Sequence, residues 1–102
     1  AVADLDNDTQ LEIVVTLWSK GEVSVLADYY AAEFAQQLFY ETGSTAHPTS
    51  AVIGDFNEDN QPDIVVTNSG TDKVDILLGS GNGTFHTGIT YSLAKDSSPQ
   101  YV

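Results

Sequence analysis

The chain has 102 residues, 41% of them hydrophobic, which is enough for a packed core and excludes a compositionally disordered segment. Fifteen Asp and Glu against three Lys and Arg give a formal net charge of −12, a surface that repels nucleic acid and anionic lipid and suits cations. The absence of cysteine excludes disulfides and thiolate metal sites, and no run of about 18 apolar residues is present to span a membrane.

The chain opens at Ala1 directly into strand-like sequence, without the basic start and apolar stretch of a secretory leader. Opening at Ala1 and not Met, it reads as a segment of something longer, so the missing leader carries no weight. Asp4-Leu-Asp-Asn-Asp-Thr-Gln-Leu-Glu-Ile-Val-Val-Thr16 comes first, an acidic loop running into a β-branched strand. Val23 and Leu26 lie in the next apolar stretch. Residues 28–38, Asp-Tyr-Tyr-Ala-Ala-Glu-Phe-Ala-Gln-Gln-Leu, have fair helix propensity read alone. Ala51-Val-Ile-Gly-Asp55 is a short apolar strand, followed by a second acidic loop and the strand Ile64-Val-Val-Thr67. Asn68-Ser-Gly-Thr-Asp72 is turn chemistry, and Val74, Ile76 and Leu78 share one face of the next strand with Asp75 between them. Gly79-Ser-Gly-Asn-Gly83 turns the chain again, and Gly88–Leu93 supplies a fourth strand.

These elements are two copies of one unit. A constant spacing of 51 residues carries Asp4 onto Asp55, Val23 onto Val74, Leu26 onto Leu77, Phe34 onto Phe85, Tyr40 onto Tyr91 and Pro48 onto Pro99. The period suits propeller blades or solenoids, and four short strands with tight turns suit one blade. The predicted fold is all-β: two four-stranded antiparallel blades, the first over residues 1–51 and the second over 52–102, as a fragment of a β-propeller. Within residues 28–38 the ungapped register favours a modified loop or a short helical turn over a full helix.

The loops carry the chemistry. With the first Asp as position one, Asp4, Asp6, Asp8, Gln10 and Glu12 occupy positions 1, 3, 5, 7 and 9; Asp55, Asn57, Asp59, Gln61 and Asp63 occupy the same positions in the second copy. Calcium takes six to eight oxygens at about 2.3–2.6 Å, and alternating side chains on a tightly wound loop converge on one centre, position 7 giving its backbone carbonyl. Unneutralised, two such charges about 4 Å apart repel by about 4 kcal/mol at an effective dielectric near 20. The pattern is not an EF-hand, which needs Gly at position 6 and Glu at position 12; here Thr9 or Asn60, and Val15 or Val66, stand there. A single Asp-rich stretch is ordinarily a solvated turn. Two in register, each with an acid at position 9, point to calcium instead.

Other motifs carry less. His47 and His86 are not related by the repeat, and Ser44, Ser50 and Ser69 lie outside any nucleophile-elbow pattern, so no catalytic triad is indicated. The glycine-rich turn lacks the Lys-Ser/Thr ending of a phosphate loop. Asn7-Asp-Thr9 and Asn82-Gly-Thr84 fit the N-glycosylation pattern, with Asn82 in the more exposed setting. Trp18, Tyr29, Tyr30, Phe39 and Tyr101 are candidate surface aromatics for sugar binding, although packing between blades is the commoner use, as expected for Phe34, Phe85, Tyr40 and Tyr91.

Val52-Ile-Gly-Asp-Phe-Asn-Glu-Asp-Asn-Gln-Pro-Asp-Ile-Val-Val66, with Leu77-Leu-Gly79 and Gly81-Asn-Gly-Thr-Phe85, resembles the FG-GAP repeat, also described as the VCBS-type repeat. The resemblance covers both copies and is closer in the second. It implies one four-stranded blade per repeat, commonly seven blades per ring as in integrin α subunits, and one structural Ca2+ in each loop. Asp55, Asn57, Asp59, Gln61 and Asp63 would be ligands, with Asp4, Asp6, Asp8, Gln10 and Glu12 equivalent. Thr9 and Asn60 stand where the family usually has Gly. The expectation is a non-catalytic, calcium-stabilised propeller segment of an extracellular or cell-surface binding or adhesion protein, with neighbouring blades and a protein or carbohydrate ligand as partners. Extracellular modules bind calcium with dissociation constants of about 0.1–1 mM, beyond what the cytosol supplies. The alternatives are a lectin-like carbohydrate-binding propeller and an accessory domain of a secreted polysaccharide-acting enzyme.

Overall fold

A computed structural model describes residues 1–30 and 33–100, and eight strands account for all its regular structure. In chain order they are β1 (Val2–Ala3), β2 (Glu12–Leu17), β3 (Glu22–Tyr30), β4 (Glu33–Glu41), β5 (Pro48–Gly54), β6 (Asp63–Asn68), β7 (Lys73–Gly79) and β8 (Phe85–Ser92). They form two four-stranded sheets in the orders β1-β2-β3-β4 and β5-β6-β7-β8, every neighbouring pair antiparallel. Each sheet is an up-and-down meander, as its short turns require. No helix occurs among the described residues, so none is long and apolar enough to cross a membrane.

The segment expected to form a modified loop or a short helical turn is strand instead. Leu26 pairs with Gln37, Ala27 with Gln36, Tyr29 with Phe34 and Tyr30 with Glu33, so the β3–β4 hairpin runs on as a ladder. Cross-strand pairing outweighs a helix propensity worth only tenths of a kcal/mol per residue. Residues 31–32 lie outside the described chain. In the second blade glycine ends β7 at Gly79 and shortens the same hairpin. The fourth strand, expected from Gly88, begins at Phe85.

The core lies between the sheets. Leu5, Val14, Val23 and Val25 of the first blade meet Ile64, Val66, Leu77 and Phe85 of the second, flanked by Ala3, Leu38, Tyr40, Ala51 and Ile53. The register explains the choice: residues opposite each other share a face, so Ile64 with Leu77 and Val66 with Asp75 look inward. Val74, Ile76 and Leu78 do share a face, but it is the opposite one, and they are half-buried while Asp75 and Leu77 are buried. Asp75 tolerates burial because Asn68 Nδ2 and the Thr90 hydroxyl each donate to its carboxylate at 2.7 Å.

Repeat-equivalent residues therefore sit in different surroundings. Leu77 is inward and buried, whereas Leu26, 51 positions earlier, occupies the half-buried outer face of the first blade. Leu77→Ala should cost about 2–5 kcal/mol in urea unfolding, and Leu26→Ala less than half of the Leu77 value. Equal losses would contradict the packing described.

Candidate metal centre

The two acidic loops join β1 to β2 and β5 to β6 at corresponding ends of their blades. Each winds by placing positions 4 and 6 in the left-handed region: Asn7 (φ 65°) and Thr9 (φ 73°), then Glu58 (φ 59°) and Asn60 (φ 64°). Thr9 shows that the turn is held even by a β-branched residue, which prefers not to enter that region. Side chains of the loop close it. Asp4 accepts the N–H groups of Asp8 (3.2 Å) and Thr9 (3.0 Å), and Asp55 those of Asp59 (3.1 Å) and Asn60 (2.8 Å). Asp8 accepts the N–H of Gln10 at 2.8 Å, and Asp59 that of Gln61 at 2.9 Å.

Position 9 ties the loop end to its beginning. Glu12 Oε2 accepts the Leu5 N–H at 2.6 Å, and Asp63 Oδ2 accepts the Phe56 N–H at 2.9 Å, the same link in both copies. Asp63 Oδ1 also accepts the Gly79 N–H at 2.9 Å, joining the loop to the end of β7. Glu12 and Asp63 are 1% and 0% exposed, whereas the other carboxylates of the loops lie at the surface or partly so.

Among the described residues two groups of carboxylates converge: Asp4, Asp6 and Asp8, and Asp55, Asp59 and Asp63, each with one oxygen per residue within 4.8 Å of the others. Two oxygens at about 2.3–2.6 Å from one ion lie at most about 5 Å apart, so both groups meet that condition. Every converging donor is oxygen, which fits a hard divalent cation. Glu12 stands outside the first group, its carboxylate directed to Leu5. Asn57 Nδ2 donates to Asp59 Oδ2 at 3.2 Å, leaving the amide beside the second group. Gln10 Nε2 donates to Asp8 Oδ2 at 3.1 Å, and the Gln61 amide oxygen faces Asn7 of the first blade's loop at 3.4 Å. Burial, with the neighbouring charges of Asp8 and Asp4, raises the pKa of Asp6; burial, with the charges of Asp6, Asp8 and Asp4, raises that of Glu12, against the opposing pull of one backbone N–H in each case.

The first loop also meets the second blade. Asn7 Nδ2 donates to the Gly81 carbonyl at 2.9 Å and lies 3.4 Å from Gln61 Oε1. Gly81 has φ 81°, a conformation that L side chains rarely adopt, so glycine is favoured there beside the Gln61 amide. Beside this contact Tyr40 hydroxyl accepts the Phe85 N–H at 3.1 Å, and the two rings meet edge to face with centroids 5.8 Å apart. No local signal announces Asn7 as a junction residue, because its partners are remote in sequence.

The remaining candidates separate. His47 stacks on Trp18 (4.2 Å between centroids, 19° between planes) with Nδ1 3.1 Å from the Trp18 carbonyl, and Ser69 donates to the His47 backbone, not its ring. His86 is exposed on β8. Trp18 (55%) and Phe39 (52%) are exposed, and so is Tyr91 (53%), which was expected to pack between blades; it stands opposite Val74 on the outer face of its own blade. The side chains of Tyr29, Tyr30, Phe34 and Tyr101 lie outside the description. Asp72, which the sequence did not single out, accepts the N–H groups of Ser98 (2.7 Å) and Asp96 (2.8 Å), and these bonds lower its pKa.

A model of the FG-GAP-like repeat matches residues 4–66, more than half of the chain. No curated protein and no solved structure matches it.

Two outcomes follow for the metal-free protein. Asp6 and Glu12 have folded pKa values above their unfolded ones, so the stabilisation from their protonation is complete below about pH 4 and is lost as pH rises through the folded values. Melting temperature should thus rise on acidification from pH 7 towards pH 4, less so in Asp6→Asn. Asp72 works oppositely, but its lowered pKa puts its loss below that window. Asp63→Ala should cost about 1–3 kcal/mol for each of the two N–H groups it strands, by urea unfolding; an unchanged midpoint would remove its structural role.

Proposed function

The chain belongs to the FG-GAP-like repeat family, and from that premise we propose that it is a calcium-stabilised, non-catalytic pair of propeller blades in an extracellular or cell-surface protein that serves binding or adhesion. FG-GAP-like repeats build propeller blades and are generally non-catalytic. The observation that carries the calcium reading is the convergence of three carboxylates within 4.8 Å in each of two loops. Asp4, Asp6 and Asp8 would hold one ion, and Asp55, Asp59 and Asp63 the other, with Asn57 and the carbonyls of Gln10 and Gln61 as further oxygens. The ion supplies positive charge that converts mutual repulsion into attraction. The chain's own residues then fix the loop: Glu12 and Asp63 clamp the first turn, and Asn7 holds the loop against the second blade.

Both outer faces support the blade reading. Val15 and Phe39 stand exposed on the first sheet, and Ile89 and Tyr91 on the second, surfaces suited to neighbouring blades. Trp18, exposed and stacked on His47, favours carbohydrate as a second ligand class.

Calcium at ten to a hundred times its dissociation constant stabilises by about 1.4–2.7 kcal/mol per site, a rise in melting temperature on the order of 10 °C. Magnesium at the same concentration should raise it far less, because it demands a small octahedral shell. Asp55→Ala with Asp59→Ala should remove about half of the calcium effect. A folded chain whose melting is indifferent to calcium would end this reading and, with it, the argument for an extracellular setting.

A further inference from the structure

Of the two Asn-x-Thr sequences, the fold uses the asparagine side chains in opposite ways. Asn82 lies exposed in the turn between β7 and β8. Its Oδ1 accepts both the Thr84 N–H (3.1 Å) and the Thr84 hydroxyl (2.6 Å), which closes the turn between Gly81 and Gly83. The turn engages the amide oxygen alone, so a substituent on Nδ2 leaves both bonds in place. Asn7 is the reverse case: its Nδ2 is the donor that holds the first loop to the Gly81 carbonyl and faces Gln61. A bulky group there would force the first loop off the second blade.

We propose that Asn82 is an N-glycosylation site and that Asn7 is not. The inference rests on the extracellular reading above, since modification requires passage through a secretory pathway. The step joins Asn82 Nδ2 to the anomeric carbon of a sugar and breaks that carbon's bond to the pyrophosphate of a lipid-linked oligosaccharide, the donor. The lipid pyrophosphate leaves, and one Nδ2 proton passes to base. A glycan at Asn82 projects into solvent from the tip of the β7–β8 hairpin, beside the metal loops and away from the Trp18–His47 pair on the opposite turns. There it shields the loop end of the blades and keeps the highly polar tip solvated.

The test expresses the full chain behind a secretory leader in a eukaryotic host and recovers it from both the medium and the endoplasmic reticulum. Peptide-N-glycosidase treatment in heavy-oxygen water marks each glycosylated asparagine as labelled aspartate, and an enzyme-free incubation in the same water gives the label that spontaneous deamidation at Asn82-Gly83 contributes. One glycan at Asn82 is expected, lost in both Asn82→Gln and Thr84→Ala and retained in Asn7→Gln. An unmodified Asn82 in both fractions, or a glycan on Asn7, overturns the assignment. Calcium-dependent melting of the same sample distinguishes the two levels. A missing glycan with calcium stabilisation intact removes this site alone, whereas loss of both removes the extracellular reading beneath it.

Discussion

The hydrogen bond from the position 2 backbone N–H to the position 9 carboxylate is the constraint on which each blade rests. Glu12 makes it to Leu5 and Asp63 to Phe56, in both cases with the carboxylate buried. A charge taken out of water is costly unless it is paired, so this acid must meet a donor, and the donor it meets is at the start of its own loop. That link sets where the second strand of each hairpin begins. It also holds the other carboxylates of the loop above a closed turn instead of letting them splay apart. Strand register follows, and with it the face that Ile64, Val66 and Leu77 turn towards the first blade.

Closure and repulsion therefore oppose each other in the same dozen residues. Backbone amides aimed at Asp4, Asp8, Asp55 and Asp59 offset part of the crowding. Burial first, and then the neighbouring carboxylates, still raise the pKa values of Asp6 and Glu12. Under the proposed function, a divalent cation would offset what repulsion remains. Because Asn7 bonds across the junction to Gly81, order in the first loop is coupled to the seating of the second blade, and the loop is thus part of the interface between blades.

Much of this was legible in the sequence. The 51-residue spacing carries both blades, since a short strand, an acidic turn and a β-branched strand recur in register. The candidate ligand positions were chosen from alternation along the loop, and of these Asp4, Asp6 and Asp8, and Asp55, Asp59 and Asp63, converge in two groups. Residues 28–38 misled because intrinsic helix preference is weak and the competing ladder is non-local. The alternation of Val74, Ile76 and Leu78 identified a face but not which way it turns, since the outer side of a blade is apolar too. Tyr91 follows the same rule: it repeats Tyr40, yet Tyr40 sits on the face between the sheets and Tyr91 on the outer one. Glu12 is a carboxylate at a candidate ligand position whose longer side chain is directed to Leu5. Nothing local could foretell Asn7 with Gly81 or Asp72 with Ser98, because each pair joins segments distant along the chain.

The central claim is that each repeat holds its own ion. Native mass spectrometry combined with calorimetric titration of the purified chain counts the ions directly. The account predicts two calcium ions per chain, with dissociation constants on the order of 0.1–1 mM, falling to one in the Asp55→Ala, Asp59→Ala variant. Binding of one ion or none to the folded wild-type chain at several times those concentrations would contradict it.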